Sequence, residues 1–205
     1  MKSYTTVLNH ASFEYEEKKS VFIGEVMPVS TEEDALDFNA AVKKKYPDAK
    51  HHVYAYILRE NSIMRFSDDR EPQGSAGMPV LDSIRKNGCT DVAVVVTRYF
   101  GGTLLGVGGL VRAYGAAAVG AINAGKIVTY DIYSVFEITL SYSEYQKAIP
   151  ILELMNFRVE DSKFTDTVLI KGRIKKDFAD DLTKKLSEIT FGKAKIEIID
   201  EKFDF

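Results

Sequence analysis

The sequence predicts an α+β protein of two domains, and three observations carry that reading. Apolar spacing alternates between a strand period and a helix period along the 205 residues. The last third runs strand, helix, strand, strand, helix, strand, which is the ferredoxin-like βαββαβ order. The composition is that of a globular protein able to bury a core, with 45% hydrophobic and 28% charged residues. The boundary is placed at residue 132, giving domains 1–132 and 133–205.

The elements follow in order. Residues 21–29 read as a strand closing at Pro28. Ser30 to Glu33 has the form of a capping box, with Ser30 as the cap. Ala35, Phe38, Val42 and Tyr46 then mark one face of a helix. Lys43, Lys44 and Lys45 crowd its last turn, where cations suit the dipole and the simplest role is a solvated end. Residues 52–58 and 63–66 form a strand pair about the turn 59–62. A helix over 79–87 buries Val80, Leu81 and Ile84, and Gly88 stops it. The run VAVVVT, 92–97, is a strand buried on both faces. A glycine-rich loop, 101–109, leads into an alanine-rich helix over 110–123.

In the second half, 135–140 is a strand and Ser141 to Glu144 a capping box. Tyr145, Ile149, Leu152 and Met155 form a helix face. Residues 158–164 and 168–174 form a hairpin about 165–167. Phe178, Leu182, Leu186 and Ile189 form another helix face, and 194–199 is the final strand.

Charge excludes some functions. The chain has 27 basic and 30 acidic residues, so the net charge is -3. The two halves carry 15 basic against 16 acidic and 12 against 14. Neither is the basic domain that coats duplex nucleic acid, and no DNA partner is expected. RNA contact would have to be local. The polar first ten residues have no signal-peptide pattern, and no apolar stretch is long enough for a membrane helix, so a cytoplasmic protein is expected. One cysteine, Cys89, permits no intrachain disulfide and no cysteine zinc cluster. A small buried side chain is its simplest role.

Two strings concentrate the chemistry. The first is SDDREPQGSAGMP, 67–79. Asp68, Asp69 and Glu71 fall within four positions and suit a hard cation, although the spacing is not that of an EF-hand. The same acids equally suit capping of a turn. Ser75 lacks the glycine two residues earlier that a nucleophile elbow needs, and only His10, His51 and His52 are available as bases.

The second string is VTRYFGGTLLGVGGLVRAY, 96–114. Strand, glycine turn and helix start in that order make an anion-friendly surface from Gly101, Gly102, Gly106, Gly108 and Gly109. Arg98 and Arg112 flank it and suit phosphate. No Walker A sequence is present, and the dinucleotide fingerprint fails at its last glycine. Close helix-to-sheet packing explains the glycines equally well. Tyr99, Phe100 and Tyr114 beside the arginines suit base stacking or a core.

These two strings, with KKSVFI at 18–23 and AKHH at 49–52, resemble the signature of the YigZ/IMPACT family over nearly the whole chain. Arg70 departs from the family pattern, which more usually has glycine there; a turn needing positive φ makes arginine a strained choice. The resemblance implies a ribosomal-protein-type α/β domain similar to the fourth domain of elongation factor G, then a ferredoxin-like domain similar to its fifth. Eukaryotic relatives regulate translation by binding an activator of a stress kinase.

The resemblance therefore implies a non-enzymatic, translation-associated protein contacting RNA, the ribosome or a regulatory protein partner. Its candidate binding surface is Asp68, Asp69, Glu71, Arg98, Tyr99, Gly101, Gly102, Gly106, Gly108, Gly109 and Arg112. No catalytic residue, metal or cofactor is expected. The competing reading is an enzyme holding a phosphorylated small molecule or nucleotide at 101–109, with Asp68, Asp69 or Glu71 as metal ligands or acid/base groups.

Overall fold

Apolar alternation and helical spacing assemble into a mixed α+β architecture of ten strands and five α-helices in the described residues of a computed structural model. The structure describes residues 3–205, with the side chain of Asn61 left aside; Met1 and Lys2, part of the polar N-terminal stretch, lie outside the described residues. Contacts divide the chain into two compact units, Tyr4–Thr129 and Tyr130–Phe205.

In the first unit, β2 (Ala11–Glu17), β3 (Ser20–Pro28), β6 (Val92–Tyr99), β4 (His51–Leu58) and β5 (Ile63–Ser67) form an antiparallel sheet in the order β2-β3-β6-β4-β5. The central strand β6 is buried on both faces up to Arg98, as an unbroken apolar run demands. One face carries α1 (Glu32–Lys45), which buries Ala35, Phe38 and Val42 against Tyr56, Ala93 and Val95. The other carries α2 (Gly77–Lys86) and α3 (Gly106–Ala124), which bury Val80, Ile84, Ala113, Ala117 and Ile122 against Phe22, Val53 and Val94. A short strand, β1 (Tyr4–Val7), joins β7 (Ile127–Leu140), with the Thr5 and Thr129 hydroxyls 2.9 Å apart.

In the second unit, β7, α4 (Tyr142–Leu154), β8 (Arg158–Phe164), β9 (Val168–Lys175), α5 (Ala179–Thr190) and β10 (Lys195–Asp204) follow the βαββαβ order. The sheet runs β10-β7-β9-β8, antiparallel throughout. Phe136, Ile138, Leu140, Ile170 and Ile174 alternate onto the helix side, against Leu152, Leu182 and Leu186. The opposite side holds a charge network: Arg173 pairs with Glu160 and with Asp204 (2.7 Å), and Lys202 reaches Glu160 (2.9 Å).

Several local expectations shift. The first capping box sits one residue later: Thr31 Oγ1 accepts from Asp34 N, and the Asp34 carboxylate takes the N–H groups of Ser30 and Thr31. The Thr31–Asp34 pair keeps the same three-residue spacing one position along. Lys45 is not simply solvated, because its Nζ lies 2.9 Å from the buried Glu25. α3 starts at Gly106, so four residues read as loop belong to its first turn. β1, β2 and the first half of β7 have weak apolar alternation, and the burial pattern of β2 has no fully buried position.

Candidate functional site

The acidic string is a turn built from its own carboxylates. Asp69 and Arg70 take left-handed φ values of 41° and 70°. Arg70 thus stands where glycine costs least, and its guanidinium Nη2 donates to the Lys50 carbonyl at 2.9 Å. The turn brings the Asp68 carboxylate onto the N–H groups of Gly74 (2.9 Å), Ala76 (3.1 Å) and Gly77 (2.7 Å). Ala76 has no side-chain oxygen to cap α2, so Asp68 does it from eight residues upstream.

Asp69 ties the same turn to β4. Its Oδ2 accepts the His52 N–H at 2.6 Å, and its carbonyl lies 2.9 Å from His51 Nδ1. A carbonyl only accepts, so His51 carries its hydrogen on Nδ1. Ser75 is fully buried and its hydroxyl donates to the Pro72 carbonyl at 2.6 Å, which removes it as a nucleophile. His10 is 2.9 Å from Glu25 and His52 Nε2 is 3.0 Å from the Tyr46 carbonyl. Cys89 is buried, and burial pushes its thiol up.

Glu71 joins the two strings. Its Oε1 accepts from Arg98 Nη1 at 2.7 Å and from the Tyr114 hydroxyl at 2.7 Å. All three residues are buried, Tyr114 completely. Burial, then the charge and hydrogen bond of Glu71, push the Tyr114 hydroxyl far above the usual tyrosine range. The Arg98 guanidinium carbon sits 5.5 Å from the Phe22 ring centre and 5.6 Å from that of Phe100. Arg98 Nε finds no partner among the described residues.

The charge of Arg98 is compensated inside the protein by Glu71. Tyr114 is core rather than a stacking platform. Sequence spacing did not mark Glu71 as their partner, because 27 and 43 residues separate them.

The glycine string leaves the end of β6. Tyr99 is half-buried and Phe100 is 56% exposed. Gly101 N donates to Ser20 Oγ at 3.0 Å, and a Cβ there would lie 2.0 Å from the Lys19 carbonyl carbon. Gly102 and Gly106 adopt φ of 84° and 70° in open surroundings. Leu105 precedes α3 without a side-chain cap. Gly106 and Gly108 are exposed, Gly109 is buried, and Arg112 is exposed with no ion pair among the described residues.

A groove of about 380 Å³ lies between α2 and α3, bordered by Gly74, Met78, Ser83, Arg112, Gly115 and Val119. It places the tip of the acidic string and Arg112 on one surface. The candidate surface residues thus separate into a set bonded within the protein, the half-buried Asp68 and Asp69 and the buried Glu71 and Arg98, and an outer set around Gly102, Gly106, Gly108 and Arg112.

Comparison with known proteins agrees along the chain. Residues 18–122 match the Impact N-terminal domain, and 138–193 match a domain of unknown function, DUF1949. The chain is 32% identical to IMPACT family member YvyE of Bacillus subtilis, covering 96% of this chain and 91% of that protein. It is also 32% identical to IMPACT family member YigZ of Escherichia coli, covering 90% and 92%. A crystal structure described as that of a hypothetical protein superposes with a TM-score of 0.60 at 28% identity, covering 98% of both chains. Matches of this length and identity place the chain in the IMPACT family.

Proposed function

We propose that this protein is a non-enzymatic, translation-associated binding protein that contacts RNA or the ribosome with its first unit, around Gly102, Gly106, Gly108 and Arg112. One observation carries the reading. Each acid beside the glycine string already has structural partners, whereas the uncapped start of α3 and Arg112 face solvent. Backbone N–H groups at a helix start with an unpaired arginine suit phosphate. Using Asp68 as a base or metal ligand would uncap α2, and using Glu71 would strand the buried Arg98 charge. That cost weighs against the enzymatic reading of the same loop.

A protein partner is the second reading, favoured by the α2–α3 groove, where Met78, Val111 and Val119 are each 38% exposed.

The test is crosslinking and co-sedimentation with ribosomes at graded salt. Arg112→Glu is the informative variant, because Arg98→Ala would damage the fold. Salt-sensitive sedimentation weakened by Arg112→Glu is expected. Sedimentation that is absent, or indifferent to salt and to Arg112→Glu, overturns the ribosome reading.

A further inference from the structure

We infer that the end of the first unit's sheet grips single-stranded RNA, with Phe100 stacking on a base and Lys18, Lys19, Lys50 and Arg70 holding phosphates. This deepens the RNA reading above and rests on it for the choice of ligand.

Strand register brings these residues to one end. Lys18 and Lys19 make the turn between β2 and β3, where Glu17 pairs with Ser20. Val21 pairs with Tyr99, so Phe100 leaves β6 beside that turn, and Gly101 packs directly on Lys19. His51 pairs with Arg98, which puts Lys50 next along the same end. Arg70 bonds the Lys50 carbonyl. From β3 across β6 and β4 to β5 is three strand spacings, about 14 Å.

The charges here are available. Lys18, Lys19 and Lys50 are exposed and have no ion pair among the described residues. Arg70 has a 78% exposed side chain and only a loose 3.9 Å approach to Asp69. The neighbouring acids are largely engaged: Asp68 and Asp69 with backbone, Glu71 with Arg98, and Glu17 with the Tyr15 hydroxyl at 3.2 Å. Glu16 on β2 and Asp48 before β4 bound the strip. Four exposed cations thus project at this sheet end, while the carboxylates of Asp68 and Asp69 are turned onto backbone N–H groups.

Phe100 selects the form of the nucleic acid. A half-exposed ring between cations offers a stacking face, and bases present their faces only when unpaired. The deep, narrow major groove of an RNA duplex would not admit it.

The test is fluorescence anisotropy of the full chain with a labelled 12-nucleotide oligoadenylate, a hairpin duplex of equal phosphate count, and poly-glutamate as competitor. The single strand should bind at least tenfold tighter than the duplex. Phe100→Ala should weaken it about tenfold. Lys18→Asn with Lys19→Asn should reduce the salt slope by about 1.4; asparagine suits their left-handed φ of 47° and 65°. Unchanged thermal unfolding establishes that both variants fold.

Equal duplex binding, a neutral Phe100→Ala, or equally effective competition by poly-glutamate overturns the inference. Ribosome sedimentation that persists while these variants change nothing refutes this inference alone. Oligonucleotide binding lost in these variants, without ribosome sedimentation, supports it while refuting the ribosome reading.

Discussion

Arg98 Nη1 donates to Glu71 Oε1 across 2.7 Å, and both side chains are more than nine-tenths buried. Removing one partner leaves an uncompensated charge in the interior. Glu71→Leu is expected to destabilise the protein by about 3–5 kcal/mol, measured by urea unfolding. Glu71→Leu with Arg98→Met should lose less than the two single changes together. A loss under about 1 kcal/mol for the single change would show that the pair is dispensable.

Arg70 offers the opposite sign. At φ 70° a side chain costs roughly 1–2 kcal/mol that glycine avoids. The gain is reduced by the greater freedom of glycine in the unfolded chain and by the lost bond to Lys50. Arg70→Gly should stabilise by about 0.5–1 kcal/mol. A lower melting temperature would mean that the bond to Lys50 outweighs the strain.

The glycines of the second string should not respond alike. A Cβ on Gly101 meets the backbone of Lys19 at 2.0 Å, and backbone cannot swing aside. A Cβ on Gly108 meets only the tip of Arg112, at 3.7 Å, an ordinary contact. Gly101→Ala should destabilise by several times the ~1 kcal/mol that separates alanine from glycine in a helix, and Gly108→Ala should stabilise by up to that amount. Parallel melting curves of the two variants check this; equal shifts would contradict the packing.

Glu25 gives a pH dependence. Burial raises its carboxyl, but hydrogen bonds from Lys45, His10 and Tyr46 together outweigh burial and hold it below the usual carboxylate range. A depressed folded value stabilises above the unfolded value, about 4.3, and that stability is lost as pH falls through the folded one. Glu25→Gln should therefore melt below the wild type at pH 7, and the gap should close as pH drops below about 4. A constant gap from pH 7 to pH 3 would refute the charge as its source.

Much of the fold was legible because its signals are local. The apolar run of β6, the helix faces of α1 and α5, and the Ser141–Glu144 cap each depend on residues a few positions apart. The start of α3 was hidden because Gly106, Gly108 and Gly109 have poor helix propensity, and burial of Leu110, Ala113 and Ala117 overrides it. β2 was hidden because its exposed side breaks the apolar pattern. At the site, the acids and arginines were visible as residue types. Their division into internally bonded and outer sets was not, since Glu71 meets Arg98 and Tyr114 only once the sheet forms.

That meeting makes the two strings one structural part. Glu71 comes from the first string, Arg98 and Tyr114 from the second. A chimera that exchanges 67–79 with a relative would work only if the donor's residue at position 71 still suits both recipients. The practical unit for grafting or directed evolution is therefore the pair of strings, moved together.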